Sequence, residues 1–414
     1  MKSILDSSEE NFAHTLKLGN SSDFLNNEGY DFLKKVTDKF INKVKDQINI
    51  IMVSPSYDSD IPMVETLRNH FKIAALIPKN STLIRRKYII EKYETTGIDV
   101  VYNINKGDLR DPIVAINFIR THIPDGEKFI IMDHGGYFAP SSEEICHEFG
   151  VDQFLGFTEY TDNGHKKYEK KIRINRPVIS TAHSYLKEPS DREAGESVTH
   201  ALDHVLRDSF GLKAKSIHQL SFGIIGFGRL GKGVAEQLRR RGVSYIKVSD
   251  KSHKQLINAP SLGFHVSSTD DICKTCNVII SATGSAALKP HHYSELKNNT
   301  LITTVTSPDD ELKIDELLDE RILVDGREKD LITSYRVSKS GKKIHLLLNG
   351  ESANTLLRSG IGDPSIFLPI AAQLVANLIL VNNHKTLKPF IQPISDVYEE
   401  EIAFFWNQCF YGID

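Results

Sequence analysis

The chain has 414 residues, 40% hydrophobic and 25% charged, which is the balance of a soluble globular protein and long enough for two domains rather than one core. Its 51 Lys and Arg against 54 Asp and Glu leave a net charge of −3, so no basic field recommends nucleic acid as a partner. No apolar run approaches a bilayer span and the opening MKSILDSSEENFAHTLKLGN is too polar for a signal-peptide core, so no membrane partner is expected and a cytoplasmic location is.

In chain order, Phe32, Leu33, Val36, Phe40 and Val44 stand at helical spacing and predict a surface helix. Ile48 to Val53 is a continuous apolar run suited to a buried parallel strand. Further runs at Ile73–Ile77, Val100–Tyr102 and Phe129–Met132 alternate with helical stretches such as Ile113–Ile123. Such alternation implies a parallel sheet covered on both faces, hence an α/β first domain.

Polar clusters follow the strands of that domain. Asp133-His134-Gly135-Gly136 comes directly after a buried run, where ligands of open α/β sheets bind. The segments Gly156–His165, with Glu159 and Tyr160, and Pro177–Tyr185, with His183, are the other two. A helix over Asp191–Ser209 would lead into the second domain. Its His200 and His204 could share a face, but without a glutamate after the first they read as solvated or interdomain histidines rather than as zinc ligands.

The clearest stretch is Leu220–Asp250. An apolar run ends in Gly226-Phe227-Gly228-Arg229-Leu230-Gly231, a helical stretch follows, and a second strand ends at Asp250, about twenty residues beyond the last glycine. The first glycine allows the tight turn, the second lets a pyrophosphate approach the backbone, and the third lets helix pack on strand. Free N–H groups at the helix start would face the phosphates. Asp250 sits where a carboxylate can accept both ribose hydroxyls, which favours NAD over its 2′-phosphorylated form.

Later elements continue the pattern. Asp271–Thr275 is helical, Asn277–Ser281 is a strand running into Thr283-Gly284, a small pair suited to backbone approach of a ribose, and Thr300–Thr304 and Ile322–Asp325 are two further strands. Cys273 and Cys276 lack a second pair to complete a zinc site and read as packing, so no metal is expected. Pro364–Val381 reads as a packed helix. The aromatic tail around Trp406 should dock on a surface that cannot be read from the sequence.

Several separated motifs resemble the adenosylhomocysteinases, NAD-dependent hydrolases of S-adenosylhomocysteine. They are DHGG (Asp133–Gly136), GFTEYTDNG (Gly156–Gly164), GFGRLGKGVAEQL (Gly226–Leu238), SATG (Ser281–Gly284), DDELKIDEL (Asp309–Leu317) and LLLNG…N…GDPS (Leu346–Ser365). The resemblance implies a flavodoxin-like substrate domain over 1–190, a Rossmann NAD domain over 191–352, and a tail, 353–414, returning to the first. It also implies Asn354 as a cofactor residue and a homo-oligomer. Enzymes of this family use NAD as a recycled oxidant: a ribose hydroxyl is oxidised, the neighbouring C–H becomes acidic, the 5′ substituent leaves, water adds and the ketone is reduced again.

The chain departs from the family where that chemistry lies. His134 stands for the second acid of DDGG and Tyr160 for the second of two adjacent glutamates. Asp363 stands for a histidine, and Lys187 and Asp191 fall only near the family's lysine-rich segment. One polar set is exchanged for another. The expectation is therefore a diverged NAD-using enzyme that oxidises an alcohol on a nucleoside, sugar or other small polar substrate. His134 is the leading acid or base and Asp133 its orienter, with Glu159, Tyr160, His183 and Asp363 as further candidates. A catalytically silent NAD-binding scaffold and a 2-hydroxyacid-type dehydrogenase are the alternatives.

Overall fold

A computed structural model describes residues 21–41, 48–79, 87–211, 214–306, 311–356 and 364–413; the expectations placed on Val44 and Asp363 lie outside these residues. The predicted apolar runs become strands β1 (Ile48–Ser54), β2 (Phe71–Pro78), β3 (Phe129–Asp133), β4 (Phe154–Glu159) and β5 (Val178–Ser180). They pair in parallel in the order β2-β1-β3-β4-β5, with Ile50 of β1 between Ile73 and Ile130. Strand order reverses beside β1, so the loops leaving β1 and β3, which carry Tyr57 and His134, flank the crevice that such a sheet offers a ligand.

The second sheet draws on β6 (Phe222–Ile225), β7 (Ile246–Ser249), β8 (His265–Val266), β9 (Val278–Ser281) and β10 (Thr300–Thr304). It continues with β11 (Leu323–Lys329), β12 (Ile332–Val337) and β13 (Lys343–Leu347). Its parallel part runs β8-β7-β6-β9-β10-β13, the Rossmann order, and the antiparallel hairpin β11-β12 extends one edge. The reversal here lies between β6 and β9, which puts the glycine turn and Thr283-Gly284 on either side of one crevice. A last strand, β14 (Ile391–Pro393), returns to pair with β5 in the first sheet.

Five helices tie these sheets together. Helix α1 (Ser21–Phe40) buries Phe32, Leu33 and Val36 completely, so it belongs to the core rather than to the surface, and it ends at Phe40. Helix α2 (Glu188–Asp208) runs from the first sheet to the second and packs Val198, Leu202 and Val205 against the apolar side of α3 (Arg229–Arg240). The helical stretch Pro364–Asn383, most of it helix α4 (Phe367–Asn383), is long and apolar enough to span a bilayer by length and composition alone, but 83% of its most apolar stretch is buried inside the fold. Its polar residues are matched: Gln373 bonds the hydroxyls of Thr158 and Thr181, and Asn377 Oδ1 accepts from Thr158 at 2.7 Å. Helix α5 (Asp396–Tyr411) is the docked tail. Trp406 donates its indole N–H to the Pro364 carbonyl at 3.1 Å, and Phe410 lies against Phe32 and Phe367.

Two further readings change. Val100–Tyr102 is no strand, contributing only a single bridge between Val100 and Leu76. The stretch 322–325 starts a longer strand whose partner, β12, alternates too weakly to be read from sequence. His200 and His204 are exposed and lie near Glu196 and Asp208, while Cys273 and Cys276 are buried thiols in the core of the second lobe.

Candidate cofactor crevice and active site

The glycine turn is built as its residue types demand. Gly226 has φ +98°, and a side chain there would meet the Ala282 carbonyl oxygen at 2.5 Å. A methyl on residue 231 would run into the carbonyl of Gly226, so only glycine lets α3 sit this close to β6. On the outer side of Gly228 the space is open. A backbone that no Cβ obstructs, at the N-terminus of a twelve-residue helix, fits a diphosphate. Asp250 closes the turn from β7: its carboxylate accepts the Phe227 N–H at 2.7 Å and the Ser252 N–H at 2.8 Å and still borders the crevice.

Not every residue of the motif faces a ligand. The Phe227 ring is fully buried against Phe264, so only its backbone belongs to the turn. Arg229 lines the crevice, but its guanidinium is committed elsewhere. It donates to the carbonyls of Ala182 (2.6 Å) and Ser184 (3.0 Å) and pairs with Asp191 at 3.0 Å, clamping the start of α3 to the first residues of α2. Leu230 and Asn354 also line the crevice, and Asn354 accepts the Ser352 hydroxyl. Thr283 and Gly284 line it too, yet their N–H groups are held by the buried Glu311 at 3.0 and 2.6 Å, so they shape the wall more than they donate to a ribose. Glu311, which also accepts from Ser281 and Thr306, was not legible as the organiser of this loop because its charge says nothing of where it points.

Across the crevice, in the same cavity of about 1020 Å³, lie His134, Tyr160 and His183. That volume is at the upper end of ligand pockets and suits more than one small ligand. The His134 ring stacks on Tyr160 with centroids 4.9 Å apart and planes 16° from parallel. Lys187 lies over the Tyr160 ring at 4.2 Å and donates to the Tyr160 carbonyl at 3.0 Å. Burial, followed by Lys79, Lys187 and Lys106, holds the His134 imidazole well below its usual range, so it is neutral at physiological pH. His183, exposed, bonds Asp162 at 2.8 Å and lies beside His165.

The two carboxylates read as catalytic candidates are occupied otherwise. Asp133 is fully buried and accepts the N–H groups of His134, Tyr137 and Phe138 and the Tyr168 hydroxyl, all within 3.0 Å. It shapes the loop and does not orient the imidazole, which, among the described residues, gives it no hydrogen bond. Glu159, equally buried, accepts from Gly135 and Gly136 (3.1 and 3.0 Å) and from the N–H and hydroxyl of Thr161 (2.6 and 2.8 Å). It pins the 134–137 loop to the 161–164 turn. Neither carboxylate borders the cavity, whereas Lys79, Lys106 and Lys187, none of them singled out as candidates, do.

Fold and crevice define the class: an α/β protein whose Rossmann lobe presents a dinucleotide crevice to a second, flavodoxin-like sheet. Residues 215–358 match the family described as S-adenosyl-L-homocysteine hydrolase, NAD binding domain. The S-inosyl-L-homocysteine hydrolase of Methanopyrus kandleri is 25% identical over 299 residues, 70% of this chain and 66% of its own length. The adenosylhomocysteinase of Aquifex aeolicus is 25% identical over 61% of this chain and 60% of its own. The matched regions thus span less than two thirds of these relatives. Among solved structures, a glyoxylate reductase from Paecilomyes thermophila covers 88% of this chain and 96% of its own at 11% identity and a TM-score of 0.36, too low to argue from. At about a quarter identity the chain is similar to adenosylhomocysteinases and S-inosyl-L-homocysteine hydrolases, and its residues 215–358 match the NAD-binding domain of that family.

Proposed function

We propose that this protein is an NAD-using enzyme of adenosylhomocysteinase-like type, diverged in its chemistry, that oxidises an alcohol of a nucleoside, sugar or other small polar substrate between its two sheets. The observation that carries this reading is a neutral imidazole, His134, in the same cavity as the Gly226–Gly231 turn. NAD, when bound, supplies a reversible oxidant for a secondary alcohol. The chain's own part is to position the alcohol and move its proton. His134 accepts the hydroxyl proton, and the Tyr160 ring beneath it, held by Lys187, fixes the plane of the imidazole.

A test is to add S-adenosylhomocysteine, S-inosylhomocysteine, nucleosides and sugars to the NAD-loaded protein and follow absorbance of the reduced nicotinamide. Reduction by one of them, reduced at least roughly a hundredfold by His134→Ala, supports the reading, in line with the usual contribution of a general base. Unchanged rates in the variant would remove His134 from the chemistry. The silent-scaffold alternative draws on the structural employment of Asp133 and Glu159, and absence of reduction with every substrate would favour it.

A further inference from the structure

Among the described residues 214–356, Glu311 is the one Asp, Glu, Lys or Arg that is buried. Its side chain stands one hydrogen bond behind the wall of the cofactor crevice. Oε1 accepts from the Ser281 hydroxyl and, at 3.0 Å, from the Thr283 N–H; Oε2 accepts from the Gly284 N–H at 2.6 Å and from the Thr306 hydroxyl at 2.5 Å. Thr283, Gly284 and Thr306 border the cavity and Glu311 does not, so the carboxylate joins the loops after β9 and β10 from behind. All these donors are neutral dipoles. Among the described residues no Lys, Arg or His forms an ion pair with Glu311, so its charge is held in place without being cancelled.

The sheet order says which part of a dinucleotide this charge lies behind. Asp250, at the end of β7, is placed for the adenosine ribose, and the glycine turn after β6 for the diphosphate. In a sheet that runs β7-β6-β9-β10, the other half of NAD would then lie over the ends of β9 and β10, against Thr283, Gly284 and Thr306. The nicotinamide ring is a cation in NAD and uncharged in NADH. A fixed anion behind a wall of low polarisability attracts the first and offers little to the second.

We infer that Glu311 is a positioning residue for the nicotinamide half of NAD and that its buried charge biases the bound cofactor towards the oxidised form. The inference rests on the proposed use of NAD, and not on the substrate or on His134.

The test is calorimetry of NAD and NADH on the full-length protein freed of nucleotide, in wild type, Glu311→Gln and Glu311→Asp, with thermal unfolding to register the cost to the loops. The readout is the ratio of the two dissociation constants, which a purely structural loss that weakens both forms alike leaves unmoved. In Glu311→Gln the ratio should shift at least roughly fivefold in favour of NADH, on the scale of one unit charge acting through a partly buried wall. For a two-electron couple that shift raises the potential of the bound cofactor by about 20 mV. Glu311→Asp keeps the charge but is too short to reach all four donors, so both forms should weaken while the ratio stays within roughly twofold of wild type. An unchanged ratio in Glu311→Gln, or a ratio that moves as far in Glu311→Asp, would overturn the inference and leave the proposed function standing. If Glu311→Gln does not fold, the aspartate variant decides: a steady ratio supports the inference and a shifted one overturns it. Binding of neither nucleotide to the wild type would end the NAD reading and this inference together.

Discussion

Glu159 shows how one buried carboxylate can be structural and still respond to pH. Burial and then the nearby Asp133 push its carboxyl up to about 7 from the usual 4.5, against the N–H bonds from Thr161 and Gly135 that favour its charge. A value raised in the folded chain means that folding holds this proton more tightly than the unfolded chain does. The stabilisation is complete below pH 4.5 and is lost as pH rises towards 7. Measured against Glu159→Gln, the wild-type thermal unfolding temperature should therefore fall between those limits; parallel profiles would show that the group does not titrate there. Asp250 makes a second test at this scale. Asp250→Ala should weaken NAD binding by roughly tenfold to a hundredfold in calorimetry, the worth of hydrogen bonds to a charged acceptor. The glycine turn and Asp250 were legible because their spacing is local and each residue type answers a local demand. Asp133 and Glu159 were legible as polar residues at strand ends but not as loop organisers, because the direction of a carboxylate is set by the loops around it.

At the scale of elements, Arg229 is the joint between cofactor lobe and substrate lobe. It sits on the first residue of α3 and holds the Ala182 and Ser184 carbonyls and the Asp191 carboxylate, so whatever occupies the turn at that helix start also bears on the segment that carries Lys187. Arg229→Met keeps the length of the side chain and removes all three bonds. Backbone amide exchange over 182–191 should then rise by at least roughly tenfold while the rest of α3 stays protected, as expected where a local opening loses one charged hydrogen bond or more. Equal protection in the variant would mean that packing of α2 on α3 alone sets the joint. The sequence announced both helices through their apolar spacing, but the arginine read only as part of the cofactor-binding motif, since the carbonyls it binds come from more than forty residues away. Strand β14 was equally hidden: three residues, one of them proline, at a sheet edge give no alternation to read.

For the whole molecule, the order of the strands along the chain differs between the lobes. The parallel sheet of the cofactor lobe is complete within residues 222–347, whereas the other sheet needs β14, at 391–393, and the buried helix α4 to cover the face where Thr158 and Thr181 lie. During synthesis the lobe begun first is thus finished last. Until the ribosome has released the C-terminal residues, the β5 edge and the apolar surface that receives Phe367–Val381 have no cover, and the nascent chain must shelter them from other strands.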